Sequence, residues 1–163
     1  MNWEELYRLQ ADLDQRILDS IPQTNEQVRD DKLLAFLVEV SELANETRCF
    51  KYWSQKGANE REVILEEFVD GIHFLLSFGL DDGYRFESHQ ATDRDSVVTL
   101  TEAFHMVYEM IQTYKNEPSQ AHYQELMLIY LSVGKLLTFS EEEIVQAYLE
   151  KNAENHNRQA RGY

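Results

Sequence analysis

The sequence has 163 residues with 30 acidic and 15 basic side chains, which gives a formal net charge of −15 with neutral histidine. A chain this acidic repels nucleic-acid backbones and anionic lipid, but it suits a cation or a phosphate ligand that arrives with one. The hydrophobic share of 43% excludes a disordered chain, and the single cysteine excludes an internal disulfide and favours a reducing compartment.

Few helix breakers interrupt the chain, which has only two prolines and six glycines. This scarcity predicts long helices, and no alternation of apolar and polar residues is long enough for a strand. We therefore predict a single all-α domain over residues 1–163, a bundle of five or six helices. The predicted helices span about 3–20, 26–45, 60–78, 99–114, 120–137 and 140–157, with a loop over 79–95 and a flexible tail over 158–163.

Local signals mark several of these helix ends. Thr99 is followed three residues later by Glu102, and Ser140 by Glu143, and both pairs are capping-box patterns at a helix start. Gly79 follows the third apolar segment and is interpreted as the end of that helix.

The longest apolar stretch, residues 72–80, is too short to span a bilayer, and the acidic first residues do not resemble a signal peptide.

Most of the acidic residues need no special explanation, but two pairs lie in apolar surroundings. Glu39 and Glu42 are three residues apart beside the apolar stripe of the second helix, so both point to one side of it. Glu67 and Asp70 have the same spacing on the third helix, which is apolar on most sides and is therefore expected to be surrounded by protein.

Four carboxylates at a half-buried helix pair repel one another unless a cation compensates them. No lysine or arginine occurs between Leu33 and Thr47 or between Glu62 and Leu80. Hard oxygen ligands without a cysteine or histidine cluster favour Mg²⁺, which commonly shares its coordination shell with substrate phosphates. The pattern predicts a Mg²⁺–phosphate site, with ion-paired or solvated acids as the alternative. A di-iron site is disfavoured because, near these acids, the required Glu-x-x-His pattern is approached only once, by Asp70 and His73 with Asp in place of Glu, and the second helix has no matching pair.

Several segments together resemble the dimeric all-α dUTPases, which belong with the MazG-type enzymes among the all-α NTP pyrophosphohydrolases. The matching segments are 36–46, 50–53, 66–74 and the set Lys151, Asn155, Arg158 and Gly162–Tyr163. The resemblance implies hydrolysis of dUTP to dUMP and pyrophosphate by a metal-activated water, with dUDP as a further candidate substrate. It also implies two or more Mg²⁺ ions per site, a homodimer, and a cytoplasmic enzyme of the compact bacterial or phage type.

The resemblance assigns the metal ligands as Glu39, Glu42, Glu67 and Asp70, with Glu39 or Glu42 also activating the water and Glu39 preferred. It implies that Trp53 and His73 line a uracil pocket, although core packing is the alternative for each. Gln10 matches a glutamine that recognises the edges of uracil, and Asp14 lies near it in the sequence.

The last helix presents Lys151, Asn155 and Arg158 on one face, because these residues are four and three positions apart. The resemblance implies that they bind phosphates, and a solvated basic helix end is the alternative. Tyr84, Arg85 and His89 lie in the long predicted loop, where closure over substrate is one interpretation and a solvated loop the other.

Two other functions remain open from the sequence. One is a MazG-like pyrophosphohydrolase of another nucleotide. The other is a non-catalytic acidic helical binding protein, such as one that imitates the charge of DNA. The apolar neighbours of Glu39 and Asp70 argue against the second, because such a protein would spread its acids over solvated faces.

Overall fold

A computed structural model describes residues 1–88 and 99–162 of the chain. Its six helices are α1 (Trp3–Asp19), α2 (Arg29–Thr47), α3 (Arg61–Asp82), α4 (Leu100–Asn116), α5 (Gln120–Leu136) and α6 (Glu141–Ala160). The described residues contain no strand, which confirms the predicted all-α class. None of these helices is long and apolar enough to cross a membrane.

The largest difference from the predicted helix ends concerns Gly79, which lies inside α3. It is a packing residue, since a Cβ added there would lie 2.5 Å from the Tyr123 hydroxyl. The helix continues to Asp82 and ends at Gly83, whose φ of 73° is the left-handed conformation that glycine adopts readily. The loop therefore begins four residues later than predicted, and its part at 89–98 lies outside the described residues.

Two other helix boundaries also differ from the prediction. The second helix starts at Arg29, after a turn, and not near residue 26. The last helix continues through Arg158 to Ala160, so that the first half of the predicted tail, residues 158–160, is helical. Arg158 thereby gains a fixed place on the same helix as Lys151. Both predicted capping boxes are present, at Thr99 and Ser140.

Helix α3 is the centre of the bundle and packs against α1, α2, α5 and α6. This position explains why it is apolar almost all round. At its C-terminal end, Asp82 pairs with Arg29 at 2.7 Å and Asp81 pairs with Lys32 at 2.9 Å, which sets the position of α2 along α3.

The packing of α5 against α3 is close because two glycines remove side chains from the interface. The ring of Tyr130 stacks on Phe68 with centroids 5.0 Å apart, and its hydroxyl donates a hydrogen bond to the Phe68 carbonyl at 2.9 Å. A Cβ at Gly71 would lie 2.0 Å from that hydroxyl, and one at Gly134 would lie 2.6 Å from the Phe68 ring. This arrangement holds the middle of α3, where Glu67 and Asp70 also lie, against the core.

Candidate active site

Three carboxylates from two helices meet on one side of α3. Glu39 of α2 and Glu67 and Asp70 of α3 each offer one oxygen, and these oxygens all lie within 4.8 Å of one another. All three side chains are half-buried. The fourth predicted ligand, Glu42, is exposed and is not part of this close group, although its charge acts on both Glu39 and Glu67.

The closeness of these acids disturbs their ionisation. Burial, followed by the charges of Asp70, Glu42 and Glu67, raises the pKa of Glu39 to about 7. Burial and the neighbouring charges of Glu42 and Asp70 raise the pKa of Glu67 to about 7 as well. The pKa of Asp70 is also raised, mainly by burial, even though Lys151 opposes the change. The cluster therefore holds more negative charge than the fold compensates.

Lys151 of α6 supplies part of that compensation, which sequence reasoning missed. Its ammonium lies 2.8 Å from Asp70 Oδ2 and 2.7 Å from Glu66 Oε1. Burial by itself would lower the pKa of Lys151, but its hydrogen bonds to these two acids outweigh burial and raise it. The acidic segments themselves contain no lysine or arginine, and this cation comes from a helix far along the chain.

A cavity of about 460 Å³ opens beside the acids and is bounded by α1, α2, α3 and α6. Of the ten predicted site residues, all of which are described, seven line it. These are Gln10, Glu39, Asp70, His73, Lys151, Asn155 and Arg158. The cavity thus brings together side chains proposed for the base, the metal and the phosphates. Lys32 and Ser77 also line it, and Lys32 donates to Ser77 Oγ at 3.0 Å.

His73 is buried in the cavity wall with only 6% of its surface exposed. Its Nδ1 lies 2.7 Å from Gln10 Oε1, and its ring stacks on Tyr148 at 4.1 Å. Burial, together with the charge of Lys151, lowers the pKa of His73 to about 3, so its imidazole is neutral. Its other ring nitrogen, Nε2, is buried and has no hydrogen-bond partner among the described residues.

Comparison with known proteins agrees with this geometry. The family model for dUTPase matches residues 2–163, nearly the whole chain. The chain belongs to the dimeric all-α dUTPase family. It is therefore a dUTP diphosphatase, and the alternative of a non-catalytic acidic binding protein is disfavoured. No curated protein matches the chain in a direct search.

One predicted residue of this dUTPase lies away from the cavity. Trp53 follows α2, has 66% of its surface exposed and packs edge-on against Tyr52 at 5.0 Å. It lines neither the cavity nor the core of its own chain. The prediction that Trp53 faces a uracil pocket is therefore not met within a single copy of the dUTPase, and core packing is not its role either.

The predicted closing loop of the dUTPase also differs from expectation where it is described. Arg85 lies over the ring of Tyr7 at 4.8 Å and donates to the carbonyl of Gly79 at 3.1 Å, so it is held against α1 and α3. Neither Tyr84 nor Arg85 lines the cavity beside the acids. His89 lies outside the described residues.

The donor set of the dUTPase fits a divalent cation. The three converging oxygens all belong to carboxylates, the hard ligands that Mg²⁺ prefers. Burial and the neighbouring carboxylates raise the pKa values of these acids in the metal-free chain, and a bound cation would offset that repulsion. A divalent cation is also what this family normally uses.

Proposed function

We propose that this chain hydrolyses dUTP to dUMP and pyrophosphate in a Mg²⁺-dependent reaction at the cavity lined by Glu39, Asp70 and His73. The observation that supports this most is the meeting of the acid cluster with a cavity of about 460 Å³ whose wall holds a neutral, buried histidine. Glu39, Glu42, Glu67 and Asp70 would hold two or more Mg²⁺ ions. When bound, such ions lower the pKa of a water molecule and offset negative charge on the phosphates.

The side chains of the site have separate tasks in this proposal. Glu39, whose pKa is raised to about 7 in the metal-free chain, accepts the proton of the attacking water. Lys151, Asn155 and Arg158 bind the phosphates, and Arg158 suits a planar bidentate contact whereas Lys151 provides a point charge. Lys151 must leave Asp70 for this task, because its ammonium is bound there in the free chain.

Pyrophosphate release from a panel of nucleoside triphosphates tests the proposal. We expect turnover of dUTP with Mg²⁺, none with EDTA, and weaker turnover of dTTP and dCTP. Glu39→Gln and Asp70→Asn should each abolish turnover, because each removes a ligand oxygen and a charge from the cluster. Glu62→Gln is the matched control on the same helix as Asp70, since Glu62 is exposed in the first turn of α3. Full activity of either cluster variant would refute the proposed site.

We also propose that the chain acts as a homodimer. Leu34 and Val38 lie one turn apart on α2 and are 62% and 46% exposed, which leaves an apolar strip uncovered in a single copy. Light scattering should give twice the mass of the chain, and Leu34→Glu should shift it towards the monomer. Leu149→Glu, at a 40% exposed position on α6, is the control and should not change the mass. A wild-type chain that stays monomeric would refute the proposal.

A further inference from the structure

Two residues that line the cavity each carry a buried polar atom without a hydrogen-bond partner among the described residues. These atoms are Nε2 of His73 and Oδ2 of Asp14. A buried polar atom without a partner costs free energy, so each such atom calls for an explanation, and a bound ligand is one that fits a cavity wall. Both residues are joined through Gln10, and the direction of the hydrogen bonds between them determines what His73 offers to a ligand.

Asp14 determines the direction of the hydrogen bonds that join it through Gln10 to His73. Its Oδ1 accepts a hydrogen bond from Gln10 Nε2 at 2.7 Å. Burial raises the pKa of Asp14, while its hydrogen bonds and the charge of Lys32 oppose the change. The ionised carboxylate has no proton to donate, so opposite it the amide of Gln10 turns its NH₂ group to Asp14. Gln10 Oε1 then faces His73 Nδ1 at 2.7 Å and must accept from it. The hydroxyl of Tyr148 also donates to Oε1, at 2.9 Å, which agrees with this orientation.

The ring of His73 therefore carries its proton on Nδ1. Because the imidazole is neutral, Nε2 holds a lone pair and can only accept a hydrogen bond. A base placed against Nε2 must present a donor. Uracil presents the N3–H group, whereas N3 of cytosine is itself an acceptor and would place two lone pairs in contact.

We propose that Asp14 is a positioning residue for base selection, which holds His73 through Gln10 in the Nδ1–H tautomer so that Nε2 selects a pyrimidine with an N3–H group. This inference rests on the proposed function, because it concerns the base of the same substrate. The acceptor at Nε2 of His73 distinguishes uracil from cytosine. It does not separate uracil from thymine, which also carries N3–H, so exclusion of the thymine methyl group depends on other parts of the wall.

The first test needs no nucleotide. Long-range ¹H–¹⁵N correlation spectra at pH 8 distinguish the two neutral tautomers, and the His73 signals are identified by their loss in His73→Gln. We expect the proton on Nδ1 in the wild type. In Asp14→Asn the new amide can donate a hydrogen bond to Gln10, so the side-chain amide of Gln10 can adopt the flipped orientation. A population of His73 with the proton on Nε2 should then appear. Asp12→Asn is the matched control, since Asp12 lies on the same helix with a 64% exposed side chain.

The second test compares base selectivity. Asp14→Asn should raise the ratio of kcat/KM for dCTP over dUTP by about tenfold or more, because a site that pairs with a substrate hydrogen bond rejects a mismatched partner strongly. The double variant Gln10→Glu with Asp14→Asn exchanges carboxylate and amide, keeps the charge and restores an acceptor opposite Nδ1. It should recover the wild-type tautomer and ratio. Asp12→Asn should leave both unchanged.

The outcomes separate this inference from the proposed function. A wild-type His73 with its proton on Nε2, or an unchanged tautomer in Asp14→Asn, would overturn the inference while dUTP hydrolysis by the wild type would still stand. If the wild type fails to hydrolyse dUTP, the proposed function fails, and the selection of a uracil base fails with it even where the tautomer is the expected one.

Discussion

The ammonium of Lys151 lies 2.8 Å from the Asp70 carboxylate, so a cation of the chain occupies one corner of the cluster proposed to bind Mg²⁺. In the metal-free chain Lys151 therefore competes with the ion. Lys151→Met should tighten Mg²⁺ binding without nucleotide by about fivefold, the equivalent of ~1 kcal/mol for a partly exposed ion pair. Titration calorimetry with Mg²⁺ measures this, and Lys56→Met, in an exposed loop, is the control. Weaker or unchanged Mg²⁺ binding would contradict the competition.

The acids of the cluster should make the metal-free fold less stable as the pH rises. The pKa values of Glu39 and Glu67 are raised from 4.5 to about 7 in the folded chain, so the folded state binds more protons than the unfolded one between these values. Their contribution to stability is fully present below pH 4.5 and is lost as the pH rises to about 7.

His73 acts in the opposite direction, since its lowered pKa favours the fold at higher pH. Comparing the wild type with a variant that lacks both acids separates their effect on stability from that of His73, which both proteins contain. Relative to Glu39→Gln/Glu67→Gln, the wild type should lose stability in EDTA between pH 5 and 8, and Mg²⁺ should reduce that loss. Near pH 8 the variant should melt about 2–4 °C higher, the shift that 1 kcal/mol produces in a domain of this size. If the difference in melting temperature between the two proteins stays the same across this pH range, the pKa values of Glu39 and Glu67 are not raised.

Gly71 should be intolerant of any side chain. A methyl group there would lie 2.0 Å from the Tyr130 hydroxyl, so Gly71→Ala forces α3 and α5 apart. We expect a loss of about 1–3 kcal/mol, which is typical of overpacking. Thermal or denaturant unfolding measures it. Gly57→Ala is the matched control, because nothing lies within 4 Å of the new methyl group there. An equal effect of the two substitutions would contradict the close packing.

The fluorescence of Trp53 should respond to dimer formation and not to binding in the cavity of its own chain. Trp53 is 66% exposed in a single copy, so its fluorescence should be that of a solvated indole in any monomeric variant. If a second copy brings Trp53 to the uracil pocket, dUMP should change its emission in the dimer and not in Leu34→Glu. Trp53→Phe removes the signal and leaves Trp3 as background. A response to dUMP in the monomer would show that the loop itself moves.

The sequence predicted the parts of this molecule that depend on local patterns. The three-residue spacing of Glu67 and Asp70 in an apolar helix was sufficient to predict an acidic site facing protein. The pairing of Asp70 with Lys151 was not predictable in this way, because it joins residues 81 positions apart through the packing of α6 on α3. The same limit applies to Trp53, whose exposure depends on where the chain turns after α2.

Gly79 shows a different limit of pattern reasoning. A glycine after an apolar run is typical of a helix end, and Gly83, only four residues later, is equally suitable. The choice is made by Tyr123 of α5, whose hydroxyl occupies the space that a side chain at residue 79 would need. The identity of the residue indicated that a small side chain was required, but only the tertiary contact shows why.

The stacking of Tyr130 on Phe68 has a consequence for how the cluster can adapt. Phe68 lies directly after Glu67 and two residues before Asp70, and its carbonyl is bonded to a hydroxyl from a neighbouring helix. The backbone that carries these two acids is therefore held against α5 by a stacked ring and a hydrogen bond. When a metal ion binds, we expect the cluster to adjust through the side-chain rotamers of Glu67 and Asp70, or through displacement of the helix that carries Glu39 and Glu42.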